Sequence, residues 1–422
     1  MQPRSFSQWY ARSRRGKKLP AESFTGLELS GGLTSKVYFM PQFGGSRPTS
    51  AAAMVSIFKY DGREWAIFIV MPRSELVNLK KPTARAKSWS KVFAIFQSFK
   101  AIKKKVATAS SGRGDSKADR LAAVVEQAGH RLPKDWFVVA SPKEHYVIVH
   151  HIPRKKTRQL VFVTKIKNYI EFMRKRYEEL FPPAKPITAI SVVRVCRDRE
   201  EYHQYGGPRG SAGYWNPRDK ELVIYDASSS GGAKNSYSTL FHEAFHQYIY
   251  YAVGEISPHS WFNEGYGDFF SGADISGGKV KRILPNPWRV GTIKKAVEDR
   301  KHVPLAEIIR YEQRDYYRNA GLCYAEGWSF IYFLNTSKEA QRHEVWSEIL
   351  PVYFETLKAV WGEQFARLEA EGKEDDATAK LAAQKEAREA AVDAAFEDVD
   401  IWELQKAWME FVSEIQDPKE RR

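Results

Sequence analysis

Between Phe24 and about Phe99 the apolar positions come in short runs: GLELSGG, SKVYFMP, AMVSIFKYDG, REWAIFIVMP and KVFAIFQSF. β-Branched and aromatic residues crowd these runs, and Gly, Pro or Asp-Gly punctuates them, which is the pattern of strands. Asp61-Gly62, set between two of the runs, predicts a hairpin. Residues 1–22 are polar and basic and predict disorder. Lys103–Ala118, rich in Lys, Ser and Gly, reads as a linker, and Asp119–Gly129 as a short helix ended by its glycine. Residues 23–135 therefore group as a small β-rich accessory domain.

A second pattern begins near Trp136. HYVIVHHIP and QLVFVTKI read as strands, and Ile166–Leu180 as an amphipathic helix stopped by Phe181-Pro182-Pro183. ITAISVVRVC has the continuous apolar run of a buried strand. A helix starting at Arg199 ends at Gly206-Gly207-Pro208, and YWNPRDKELVIY reads as a hairpin around a proline-containing turn. Beyond the loose Ser228–Lys234 stretch nearly everything has helical spacing. Ala377–Phe396, rich in Ala, Lys and Glu, reads as a solvated helix, and Ile401–Ile415 as a closing amphipathic one. No internal repeat is found. The sum is an α+β chain: a small β-rich domain, then residues 136–422 with a mixed sheet and a mostly helical C-terminal part.

Composition narrows this. A chain of 422 residues suits two or three domains, and 43% hydrophobic with 28% charged residues is ordinary for a globular protein. No apolar run approaches the ~20 residues of a membrane helix. The basic N-terminus has no apolar segment behind it, so no secretory signal is read there; a compartment is not assigned. Two cysteines, Cys196 and Cys323, exclude a disulfide scaffold and a multi-cysteine metal site and leave one bridge open. The net charge of +15 is unevenly placed: residues 1–135 hold 25 Lys+Arg against 9 Asp+Glu, and the remainder is balanced to within one charge. The basic third is a candidate polyanion-binding surface; a solvated basic face with no partner is the plain alternative.

The candidate chemistry lies in SYSTLFHEAFHQYIYYAVGEISPHSWFNEGYGDFFSG. Phe241, Ala244, Phe245, Tyr248 and Ala252 mark one buried face of a helix, with Asn235, Ser236 and Ser238 as candidate N-caps. Beside that face stand His242 and His246. Four residues advance a helix by ~6 Å, about one turn, so both imidazoles can reach one ion. Glu243 sits where it can reach a water on that ion, the H-E-x-x-H arrangement with Glu as general base. An ordinary helix with two histidines four apart is the competing explanation. A third ligand separates the two, since a catalytic zinc takes three protein ligands and keeps a fourth position open. Glu264, on a second helix whose Tyr266, Phe269 and Phe270 face the core, is the preferred third ligand. Glu255 and His259, in the intervening loop, are weaker alternatives. A histidine six residues after His246 would be another pattern, but that position is Ala252. Asp268, one turn after Glu264, is placed to fix a ligand imidazole.

HEAFH followed by NEGYGD resembles the gluzincins of the peptidase MA clan, among them thermolysin and the leukotriene-hydrolase/aminopeptidase group. Over about residues 140–415 the chain is similar to a bacterial peptidase-MA-like family of uncharacterised proteins. The resemblance implies a zincin-like metallopeptidase domain holding one zinc ion and acting on a peptide or protein substrate. It also implies a role for Tyr324: with Gly327 it matches a Tyr-x-x-Gly helix whose tyrosine hydroxyl stabilises an oxyanion. No G-x-M-E-N segment, which holds a free substrate amine in aminopeptidases, is present; this favours an endopeptidase. An extended substrate would then pair with an edge strand around Glu221–Tyr225. A catalytically idle zinc-bearing protein acting through its basic N-terminal module is the alternative, and intact Glu243 argues against it.

Overall fold

The computed structural model describes residues 22–29, 33–40, 51–60, 63–72, 116–129, 132–152, 157–228 and 232–416. The expected disordered tail, the KVFAIFQSF segment and most of the Lys103–Ala118 linker lie outside the described residues. The chain divides into two compact units, residues 1–113 and 114–422. The boundary thus falls earlier than the expected 135/136.

The first unit is an antiparallel meander of β1 (Glu22–Leu29), β2 (Leu33–Met40), β3 (Ala51–Tyr60) and β4 (Arg63–Pro72) in sheet order 1-2-3-4. Tyr60 pairs with Arg63, so Asp61-Gly62 alone connects β3 to β4, the hairpin its sequence predicts. Ala53, Val55 and Ile57 form its core with Tyr38, Ala66 and Phe68 packed against them. This unit carries the charge: residues 1–113 hold 21 Lys+Arg and 5 Asp+Glu.

The second unit opens with α1 (Lys117–Gly129), then β5 (Phe137–Ala140), β6 (Tyr146–His150), α2 (Thr157–Leu180), β7 (Ser191–Cys196), α3 (Arg199–Tyr205), β8 (Gly213–Asn216) and β9 (Glu221–Tyr225). Leu121, Val124, Val125 and Ala128 of α1 pack against Trp136, Val147 and Val149. That apolar stripe ties the helix to the second unit and explains the boundary. The five strands form one sheet in order 5-6-7-9-8, with β6, β7 and β9 parallel and β5 and β8 antiparallel at its edges. The QLVFVTKI run is not a strand; it is the first half of α2. Phe162, Val163, Ile166, Ile170, Met173 and Tyr177 are all buried at helical spacing, and the dense apolar run hid that period.

Next come α4 (Ala233–Val253), α5 (Ser260–Ser271), a hairpin of β10 (Ala273–Ser276) and β11 (Lys279–Ile283), and α6 (Val290–Glu298). The hairpin was not anticipated in a stretch read as helical. Gly277 and Gly278 both take positive φ, 59° and 74°, as a tight two-residue turn requires. Short α7 (Leu305–Ile308) and α8 (Gln313–Arg318) lead to α9 (Ala320–Thr336), α10 (Lys338–Arg342), α11 (Ile349–Ala370), α12 (Ala377–Ala395) and α13 (Ile401–Glu414). Helix α12 is not solvated all round: Ala383, Ala387, Ala391 and Ala395 form a buried small-residue stripe in contact with α11. The whole is α+β with a helical C-terminal part. No described helix is long and apolar enough to cross a membrane. Cys196 and Cys323 are both free and buried, in different clusters.

Candidate metal centre

Helix α4 begins at Ala233 with Gly232 as its N-cap, so Asn235, Ser236 and Ser238 are not caps. Ser236 instead accepts from the Ala227 amide (2.9 Å) and donates to the Tyr225 carbonyl (3.0 Å), tying α4 to β9. Phe241, Ala244, Phe245, Tyr248 and Ala252 are buried, as their spacing predicts. This fixes the rotation of α4, turning His242 and His246 toward α5 and Glu243 toward β8. On α5 the aromatic residues Tyr266, Phe269 and Phe270 are likewise buried, and Glu264 faces α4.

The three expected ligands converge. Oε2 of Glu264 stands 3.2 Å from Nε2 of His242 and 3.3 Å from Nε2 of His246. One ligand atom from each residue lies within 4.8 Å of the others, the only such group of His, Cys, Asp or Glu among the described residues. The far nitrogens are engaged as well. Nδ1 of His242 meets Asp268 Oδ1 at 3.3 Å, and Nδ1 of His246 meets Asn263 Oδ1 at 2.9 Å. Each acceptor holds a proton on Nδ1, so that the neutral ring would present its Nε2 lone pair to the shared centre. Asp268 is steadied in turn by Arg289, whose Nε donates to Oδ2 at 2.6 Å. Glu264 Oε1 accepts from the Tyr317 hydroxyl at 2.6 Å.

Glu255 and His259 are not in this group. Glu255 reaches Lys220 at 3.9 Å, and His259 is buried against the Tyr353 hydroxyl. Tyr324 is at the centre: its ring lies 6.4 Å from that of His242, nearly parallel, and 6.0 Å from that of Tyr317. The Arg289 guanidinium stands 4.9 Å from the Tyr324 ring. Burial, with the Glu264 carboxylate, raises both phenols well above their usual range, so both are proton donors.

Electrostatics follow from burial and partners. Burial favours neutral imidazole at His242, but bonds to Asp268 and Glu264 outweigh it and hold the ring well above its usual pKa. Glu264 is pulled well below the usual carboxylate range, its burial outweighed by His246 and His242. Glu243 goes the other way: burial raises it, against the opposing pull of the two histidines. Strand β8 runs close beside it. A β-carbon at Gly213 would stand 2.6 Å from Thr239 Cγ2 and 3.0 Å from Glu243 Cγ, so only glycine allows this approach. The sheet edge beside the site is β8, not Glu221–Tyr225, which lies inside the sheet between β7 and β8.

Three residues of the site were not anticipated. Asn263 neighbours Glu264 in sequence, and its place before a ligand was a usable signal. Arg289, just before α6, and Tyr317, on α8, come from other parts of the chain, and nothing in their local sequence marks them.

The family described as "Protein of unknown function (DUF1570)" matches residues 236–352, a span that holds every residue of this centre from His242 to Tyr324. No curated protein matches the chain.

Proposed function

We propose that this protein is a zinc-dependent peptidase of the gluzincin kind, with a zincin-like catalytic domain in its second unit. What carries the reading is the donor set: two imidazole Nε2 atoms and one carboxylate oxygen converge, with both Nδ1 atoms bonded from behind. Two nitrogens and one oxygen fit catalytic zinc, which takes three protein ligands and keeps its fourth position for water, one ion per chain. When bound, the ion supplies Lewis acidity toward a water and toward a carbonyl oxygen.

The chain's own residues do the rest. His242, His246 and Glu264 hold the ion. Glu243 takes the proton of the attacking water and delivers it to the leaving amine. Its burial raises its pKa, which makes it a stronger base than a solvated glutamate. Tyr324 donates to the carbonyl oxygen as charge develops there. An extended peptide adds as a strand along the outer edge of β8, beside Glu243. The absence of a G-x-M-E-N segment supports cleavage within chains rather than from a free amine. The basic first unit is assigned a polyanion contact, on its charge alone.

Elemental analysis tests the metal assignment: one zinc per wild-type chain, and none in His246→Ala or Glu264→Ala. Full occupancy in both variants would overturn it.

A further inference from the structure

The two oxygens of Glu264 are used differently. Oε2 faces both histidine Nε2 atoms, at 3.2 and 3.3 Å, while Oε1 is held by the Tyr317 hydroxyl at 2.6 Å. Tyr317 lies on α8, which is in contact with α5, and its ring packs on that of Tyr324. The residue is 41% exposed as a whole, while its hydroxyl end reaches into the buried centre. Its hydroxyl is spent on a buried carboxylate that the hydrolytic scheme already uses as a ligand. A carboxylate can bind a metal through one oxygen or through both, and a donor on the second oxygen favours the first mode.

We propose that Tyr317 is a positioning residue: by holding Oε1 it confines Glu264 to one-oxygen ligation and so sets the affinity and geometry of the metal site. This rests on the metal-centre reading above. Tyr324, whose ring runs parallel to His242, is the tyrosine that the proposed scheme sets against the reacting carbonyl. The two tyrosines therefore divide the work, one acting through a ligand and one on the substrate.

Cobalt(II) separates these roles, because its visible absorption reports coordination number. The full-length, metal-free chain and its Tyr317→Phe variant are titrated with Co2+, with the unfolding midpoint of each measured metal-free. The variant is expected to bind about tenfold more weakly, the scale of losing a group behind a ligand. Its absorption is expected to weaken as Oε1 joins the metal, and its midpoint to stay put, since the ring still packs. A Kd within about threefold of wild type overturns the proposal. So does an unchanged spectrum, or a weaker affinity matched by a fall in the midpoint, which would mark a merely structural tyrosine. A fall in kcat at saturating metal with affinity intact would also overturn it, by moving Tyr317 to the oxyanion. A wild-type chain that takes up no Co2+ would instead overturn the metal-centre reading itself.

Discussion

Gly267 lies directly under the ring of His242: a β-carbon there would stand 2.8 Å from Cε1 and 2.9 Å from Nδ1. The glycine is there for space, since its backbone is ordinary helix. Helix α5 can bring Glu264 and Asp268 to the two nitrogens of His242 only because the position between them lacks a side chain. Gly267→Ala should therefore tilt the imidazole away from both carboxylates. Helix propensity favours alanine by up to about 1 kcal/mol, so secondary structure should be kept. Metal affinity should fall about tenfold or more. Metal titration with circular dichroism checks it; unchanged affinity would mean that the ring has room to move.

Tyr324→Phe should leave metal content and thermal stability nearly unchanged and lower kcat by about 10²–10³, the cost of one oxyanion donor. KM should move little, because the bond forms as charge develops. A drop smaller than about fivefold would return Tyr324 to a packing role. Its parallel placement against His242 would then only orient that ring.

The boundary has a consequence for truncation. A chain beginning at Gly114 keeps α1 over Trp136, Val147 and Val149; one beginning at Trp136 strips that cover and exposes apolar surface. The longer form should be the more stable and should bind metal, whereas the shorter should aggregate or melt earlier. Both should lose heparin retention at low salt, as the excess of basic residues lies in residues 1–113. Equal melting midpoints would show that α1 contributes nothing to the second unit.

Acid stability should track a histidine outside the candidate metal centre. His150 is buried on β6, its Nδ1 accepting from the Ile152 amide at 3.1 Å. Burial, with His151 and Lys167 nearby, lowers it from the usual 6.5 to about 4. The unfolded chain takes up a proton below pH 6.5 that the folded chain refuses down to about 4, so stability is full above that window and falls through it. His150→Asn keeps an acceptor and removes the titration. Its melting midpoint should depend less on pH between 6.5 and 4 than that of wild type; parallel curves would place the acid sensitivity elsewhere.

The site was legible where chemistry is local. His242, Glu243 and His246 sit on one helix, and Glu264 and Asp268 on the next; helical period gathers each set, and the apolar faces of the two helices show how the sets are turned together. Arg289 and Tyr317 are not legible, because each reaches the centre from another element or its cap and tertiary packing decides where it points. In the fold, the strands of the first unit and the Asp61-Gly62 hairpin are legible from apolar runs and turn chemistry, whereas their sheet order is not. The first half of α2 was misread because Leu160-Val161-Phe162-Val163 is β-prone and apolar on every side, leaving no period to count. Gly277-Gly278 did mark the β10–β11 turn, but the flanking strands are only four and five residues long.

The most direct test of a metal-activated water with Glu243 as its base is the digestion of a proteome-derived peptide library by the zinc-loaded chain beside its Glu243→Gln variant. Wild type should yield new peptide termini within chains and the variant none above background, with equal zinc in both. Cleavage by the variant within about tenfold of wild type, or no cleavage by a wild-type chain carrying its zinc, would contradict it.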